Sequence, residues 1–138
     1  MTFKRLVYTS HAALDFDERQ LVSLHRAACV LNVLDGITGL LVFNGTHFLQ
    51  WIEGPVQEID YLVERLRGDP RHTNFEICDD RLVEERLFVH WSMELVRVRF
   101  KYYDARDDIA DRLPIDMSEP VCERILSMVQ RISAPIDL

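Results

Sequence analysis

Three polar side chains occupy positions that the hydrophobic pattern reserves for apolar ones: Tyr8, Asn32 and Gln50. Tyr8 lies in the run Phe3 to Thr9 and faces the same way as Leu6 by the period of two. Gln50 falls mid-run on the face that carries Phe48 and Ile52, and Asn32 continues the helical stripe Leu21, Leu24, Ala28, Leu31. A buried amide without partners costs about 1–3 kcal/mol per unsatisfied group. One phenol and two carboxamides around a gap suit a flat ring with polar edges, because an amide presents donor and acceptor together. Plainer accounts stand beside this one. Gln50 could bond Tyr8 in a satisfied core pair, Asn32 could be a left-handed helix C-cap, and Gly39 could ease a strand bend rather than leave space beside Gln50. His25, on the inner helical stripe, reads as a packed core or edge histidine, and Trp91 and Met93 read as packing.

Other chemistries lack their residues. The five histidines never pair at i, i+4 and no Cys–His cluster has ligand spacing, so no metal site is expected. No GxGxxG or Walker loop is present, and no nucleophile stands in a recognisable setting. The loop Ser10 to Asp15 offers neither arginine nor glycine to cradle an oxyanion.

The elements that must position the three polar residues are readable. The first strand, Phe3 to Thr9, leads to a helix capped by Asp15 or Asp17, with Asp15 and Glu18 as a capping-box pair. That helix ends near Asn32, and Gly36 marks its exit. Ile37 to Phe43 and Thr46 to Ile52 form a hairpin around the two-residue turn Asn44-Gly45, which sets Phe43 opposite Thr46, Leu41 opposite Phe48 and Gly39 opposite Gln50. Glu53-Gly54-Pro55 opens a second helix with the inner stripe Val56, Ile59, Val63, Leu66, stopped by Gly68 and Pro70. A fourth strand lies within Asn74 to Val83 and a fifth runs from Trp91 to Phe100. The expected class is α+β: a ferredoxin-like β-α-β-β-α-β sheet with an added fifth strand. C-terminal helices cover the second sheet face, the last one through Val121, Ile125, Met128 and Ile132. Lys101 to Pro120 reads as a connection.

The chain has 138 residues, enough for one domain with its own core. Sixteen basic against twenty-three acidic side chains give a net charge of −7, which disfavours phosphate backbones and anionic lipid. No run approaches a membrane span, and Met-Thr-Phe-Lys-Arg lacks the apolar run of a secretory signal. Three scattered cysteines (Cys29, Cys78, Cys122) read as reduced thiols of a cytoplasmic protein.

Five segments together resemble the BLUF domain (sensor of blue light using FAD). They are Leu6-Val7-Tyr8-Thr9-Ser10, Asn32 with Gly36-Ile37-Thr38-Gly39-Leu40-Leu41, Phe48-Leu49-Gln50 with Glu53-Gly54, Asp69-Pro70-Arg71-His72, and Phe88 to Met93. The resemblance covers residues 3–98 and is similar to a short stand-alone BLUF protein. It implies a flavin-binding domain over 1–98, a helical extension over 99–138, and a flavin held between the two helices: FAD, with FMN or riboflavin sharing the ring. It implies that Tyr8 donates an electron, that Gln50 relays hydrogen bonds between Tyr8 and the flavin, and that Asn32 binds the pyrimidine edge. Arg65 and Asp69 would contact the ring edge or ribityl chain with Arg71 and His72 nearby, and Trp91 and Met93 would be a switching pair that senses Gln50. Leu31 departs from the polar residue that some relatives carry. The output implied is a changed interaction with a downstream protein rather than catalysis, and a homodimer through the last helix is a further expectation. The alternative reading is a ferredoxin-like ligand-binding or dimerisation module without photochemistry.

Overall fold

A computed structural model describes residues 2–87, 92–97, 119–120, 122–123 and 125–127. Its elements are β1 (Phe3–Ala12), α1 (Glu18–Asp35), β2 (Thr38–Phe43), β3 (His47–Pro55), α2 (Val56–Arg67), β4 (His72–Val83) and β5 (Ser92–Arg97). The sheet order is β4-β1-β3-β2-β5, antiparallel except that β5 runs parallel to β2 at the edge. The first four strands thus take the expected ferredoxin-like order with β1 beside β3. Trp91 and residues 98–100 of the expected fifth strand lie outside the described residues.

Alternation decides what each face buries. Leu6, Tyr8, Leu41, Phe43, Phe48 and Ile52 pack with Leu21 of α1 and Ile59, Leu62 and Val63 of α2 in one cluster. Each such apolar side chain contributes about 1.5–3 kcal/mol by leaving water. The opposite face carries Val7, Leu40, Val42, Leu49 and Trp51, all at 0–1% exposure. Two apolar faces require two covering layers. Residues 119–120, 122–123 and 125–127 are helical, and Ile125 and Leu126 are buried. Val121, Met128 and Ile132 of the expected last helix, and the connection up to 118, lie outside the described residues.

Several local expectations are corrected. The cap of α1 is Asp17, whose Oδ1 accepts from Gln20 N at 2.8 Å while Gln20 Oε1 accepts from Asp17 N at 2.9 Å. The capping box is therefore Asp17–Gln20, not Asp15–Glu18, and its loss costs about 1 kcal/mol. The left-handed residue that ends α1 is Gly36 (φ 71°), and Ile37 N donates to Asn32 O at 2.8 Å. Asn32 is thus inside the helix and is not its C-cap. Glu53 and Gly54 belong to β3, so α2 opens only after Pro55. Strand β4 begins at His72, two residues earlier than expected.

The hairpin slips by two residues. Asn44 N donates to His47 O, and Asn44 Oδ1 accepts from Thr46 N at 3.0 Å and His47 N at 2.7 Å. Asn44 thereby closes the ladder, and the loop becomes Gly45-Thr46, with Gly45 at φ 100°. Phe43 faces Phe48, Leu41 faces Gln50 and Gly39 faces Ile52. A slip of two keeps each side chain on its face and changes only its partner. Gly39 therefore leaves no space beside Gln50. It is glycine because its φ is 157° and a Cβ would stand 1.9 Å from Trp51 O.

Candidate functional site

Both helices lie on one sheet face, and between them is a cavity of about 230 Å³. Packed interiors leave few voids larger than a water, and roughly 15 Å³ holds one. This space is no packing defect. Tyr8, Leu41, Phe48 and Gln50 form its floor, Leu24, Ala28, Leu31 and Asn32 its α1 wall, and Leu62, Arg65 and Leu66 its α2 wall. Asp69, Arg71 and His72 line it from the turn after α2. Seven of the nine expected site residues therefore converge on one cavity. Met93 is not among its lining but touches Gln50, and Trp91 lies outside the described residues.

Tyr8 and Gln50 pair across β1 and β3. Tyr8 Oη donates to Gln50 Oε1 at 2.5 Å, and Gln50 Nε2 donates to Met93 Sδ at 3.3 Å. Burial holds the Tyr8 phenol well above its ordinary range, and the nearby Asp69 charge adds to this. The phenol therefore keeps its proton, as a donor must. Asn32 is 2% exposed, and its Nδ2 has no hydrogen-bond partner. An orphan donor in a cavity wall calls for a ligand acceptor such as a ring carbonyl. The residues present fit a flavin on this observation: its pyrimidine edge carries carbonyls, and the remaining walls are apolar enough for a flat ring.

The mouth is polar. Arg71 Nε and Nη2 grip the Asp69 carboxylate at 2.9 and 2.5 Å, and Arg71 holds that carboxyl below the usual range although burial opposes it. Arg65 lies over the Tyr61 ring at 5.5 Å. His72 lines the cavity, and both of its ring nitrogens already have protein partners. Nε2 donates to Leu66 O at 2.5 Å, since a carbonyl can only accept, and Nδ1 lies 2.8 Å from the Ser10 hydroxyl. It walls the cavity and braces α2 against β1.

Two neighbours escaped the sequence reading. Phe75 stacks on Tyr8 with centroids 4.4 Å apart, and strand alternation with Ile77 was the signal that could have found it. His25 bonds the Met93 carbonyl at 2.7 Å. Its place on the inner stripe showed burial but not the partner, because the contact crosses 68 residues. Among the described residues no three His, Cys, Asp or Glu side chains could hold a metal ion. No helix among them is long and apolar enough to cross a membrane.

A family profile described as sensors of blue light using FAD, BLUF, matches residues 3–94. The blue light- and temperature-regulated antirepressor BluF of Escherichia coli (strain K12) is 33% identical over 106 residues, 75% of this chain and 25% of that protein. The photoactivated adenylate cyclase subunit beta of Euglena gracilis is 27% identical over 93 residues, 66% of this chain and 11% of it. The chain thus spans a quarter or less of these curated relatives. The dark-state structure of BlrB, a BLUF protein, aligns with TM-score 0.71 and 32% identity over 97% of each chain. The BlrP1 BLUF structure aligns with TM-score 0.80 and 26% identity over 97% of this chain and 91% of that one. Matched over two thirds of its length by the family profile and end to end by a BLUF protein of its own size, the chain belongs to the BLUF family, the sensors of blue light using FAD.

Proposed function

We propose that this chain is a blue-light photoreceptor in which Tyr8 and Gln50 carry the photochemistry and the output is an altered contact with another protein. The observation that carries the reading is the buried Tyr8–Gln50–Met93 chain of hydrogen bonds running along a cavity whose wall presents the unpaired Asn32 amide. A flavin held here supplies, under blue light, a strong one-electron oxidant. Asn32 Nδ2 would hold a carbonyl of its pyrimidine edge, and Arg65 and the Asp69–Arg71 pair would face its polyol end. FAD is the cofactor by which the family is defined, and one relative's structure was determined with FMN.

Tyr8 is a competent donor because it is neutral, buried and bonded to an acceptor. Losing an electron makes its phenolic proton acidic, and Gln50 Oε1 stands ready to take it. An amide protonated at oxygen can pass on a proton from nitrogen, and so turns or tautomerises with no net change in atoms. On recombination one electron and one proton return to Tyr8, so the phenol is restored and nothing is consumed. What remains altered is the hydrogen bonding of Gln50, and with it the position of Met93 on β5. We take residues 1–98 as the light-sensing unit and 99–138 as the extension that presents the change to a downstream protein in the cytoplasm.

A light-minus-dark absorption spectrum of the purified protein tests this. A yellow protein with a reversible red shift under blue light is expected. A folded, colourless chain that takes up no added flavin would instead make it a plain ferredoxin-like module.

A further inference from the structure

Met93 has no place in the β2–β5 ladder. Gly39 pairs with Ser92 and Leu40 with Glu94, so Met93 is the extra residue of a bulge, and its φ is 141°. Side-chain-bearing residues rarely adopt that conformation, and it persists only where neighbours hold it. The holder comes from α1. His25 Nε2 lies 2.7 Å from Met93 O, and because a carbonyl only accepts, Nε2 carries the hydrogen and donates. Cys29, one turn along α1, places Sγ 3.3 Å from the same nitrogen and 3.7 Å from the same oxygen. At its other end, Met93 offers Sδ to Gln50 Nε2 at 3.3 Å. One residue is thus gripped through its backbone by α1 and meets Gln50 through its side chain.

We infer that His25 is a positioning residue of the switch, whose hydrogen bond to the Met93 carbonyl holds the thioether against the Gln50 amide nitrogen. This rests on the reading of Gln50 as the photochemical relay. The consequence is directional. A thioether has lone pairs and no hydrogen, so it accepts from Nε2 and repels Oε1. Held in place, it favours the amide orientation in which Oε1 receives the Tyr8 hydroxyl, and disfavours a turned amide. The latch therefore speeds the return to the dark arrangement.

The test uses the full chain with its flavin and three variants: His25→Leu, His25→Asn (polar but too short to reach) and His25→Gln, whose amide nitrogen reaches where Nε2 stands. Dark recovery after a blue flash and the methyl NMR signal of Met93 are both read. His25→Leu and His25→Asn should keep the flavin, move the Met93 methyl signal and slow recovery about fivefold, the factor one neutral hydrogen bond supplies. His25→Gln should restore both. Unchanged recovery and an unmoved Met93 signal in the first two variants would overturn the inference, as would a glutamine variant that behaves like leucine. If the parent protein shows no red shift, the photoreceptor reading fails separately, and the Met93 signal in the dark still decides whether His25 holds the bulge.

Discussion

The Tyr8 ring is fixed from three sides: by the Gln50 amide at its hydroxyl, by Phe75 stacked at 4.4 Å and by His72 edge-on at 6.2 Å. Removing only the hydroxyl leaves the two ring contacts in place. Tyr8→Phe should therefore fold and bind flavin but show no red shift in difference spectroscopy, and Gln50→Leu should show the same loss. Asn32→Ala gives two effects of opposite sign. It removes an unpaired buried donor, so the flavin-free chain should gain up to about 1 kcal/mol or stay unchanged in a thermal melt. Flavin occupancy on purification should fall in the same variant, and unchanged occupancy would refute the role of Asn32. The Tyr8 phenol also sets a pH limit. Its pKa is higher folded than unfolded, so the unfolded chain loses this proton first. Its contribution to stability is constant below pH ~10 and is lost as the pH rises beyond it. The melting temperature should accordingly fall in strong base while the light response stays flat below it.

At the scale of the element, the features readable from sequence were those set by local chemistry and period. The stripe of α2, the alternation of β1 and the exit at Gly36 behave as their residues require, whereas α1 runs on to Asp35 and leaves Leu31 of its expected stripe exposed. What escaped was competition between equally plausible local partners. Asn44-Gly45 suited a two-residue turn, but the Asn44 carbonyl oxygen captured the amides of Thr46 and His47 and moved the loop on by one. Asp17 outcompeted Asp15 because Gln20 could return the bond. Long-range pairing was invisible. Glu53, fully buried on the far face, receives Arg5 Nε and Nη2 at 3.1 Å and Leu87 N at 2.8 Å, joining β1 and β3 to the loop before β5. Nothing about Arg5 in the sequence announces this partner. Arg5→Ala removes the cation paired with a buried carboxylate and should cost about 3 kcal/mol in urea unfolding. Gly39→Ala should cost at least ~2 kcal/mol by the same measurement, since a Cβ at that position runs into Trp51 O and forces β2 and β3 apart.

For the whole molecule, the order of elements was legible from the hydrophobic pattern, which places both helices on one face of a ferredoxin-like sheet. The place between the helices was implied by the BLUF resemblance. The seven expected residues in the cavity lining come from five elements and the turn after α2. Tyr8, Asn32 and Gln50 were legible from pattern, and Arg65, Asp69, Arg71 and His72 only through the resemblance. The far face is legible only as a demand for cover: Val7, Leu49 and Trp51 are apolar and buried. Ile125, fully buried in the last helical segment, is the place to test how tightly the C-terminal part belongs to the fold. Ile125→Ala should cost about 2–5 kcal/mol in thermal or chemical unfolding, and a cost near zero would mean that the extension is only loosely attached.

The two walls of the cavity are moored unequally. His72 pins the end of α2 to Ser10 of β1, Lys4 of the same strand reaches Asp60 at 2.6 Å, and Pro55 runs straight from β3 into that helix. The α1 wall has its side-chain anchor, His25, on the edge strand. One wall is therefore tied to the centre of the sheet and the other to its edge strand β5. A protein partner that grips β5 should accordingly also alter how tightly a flavin is held.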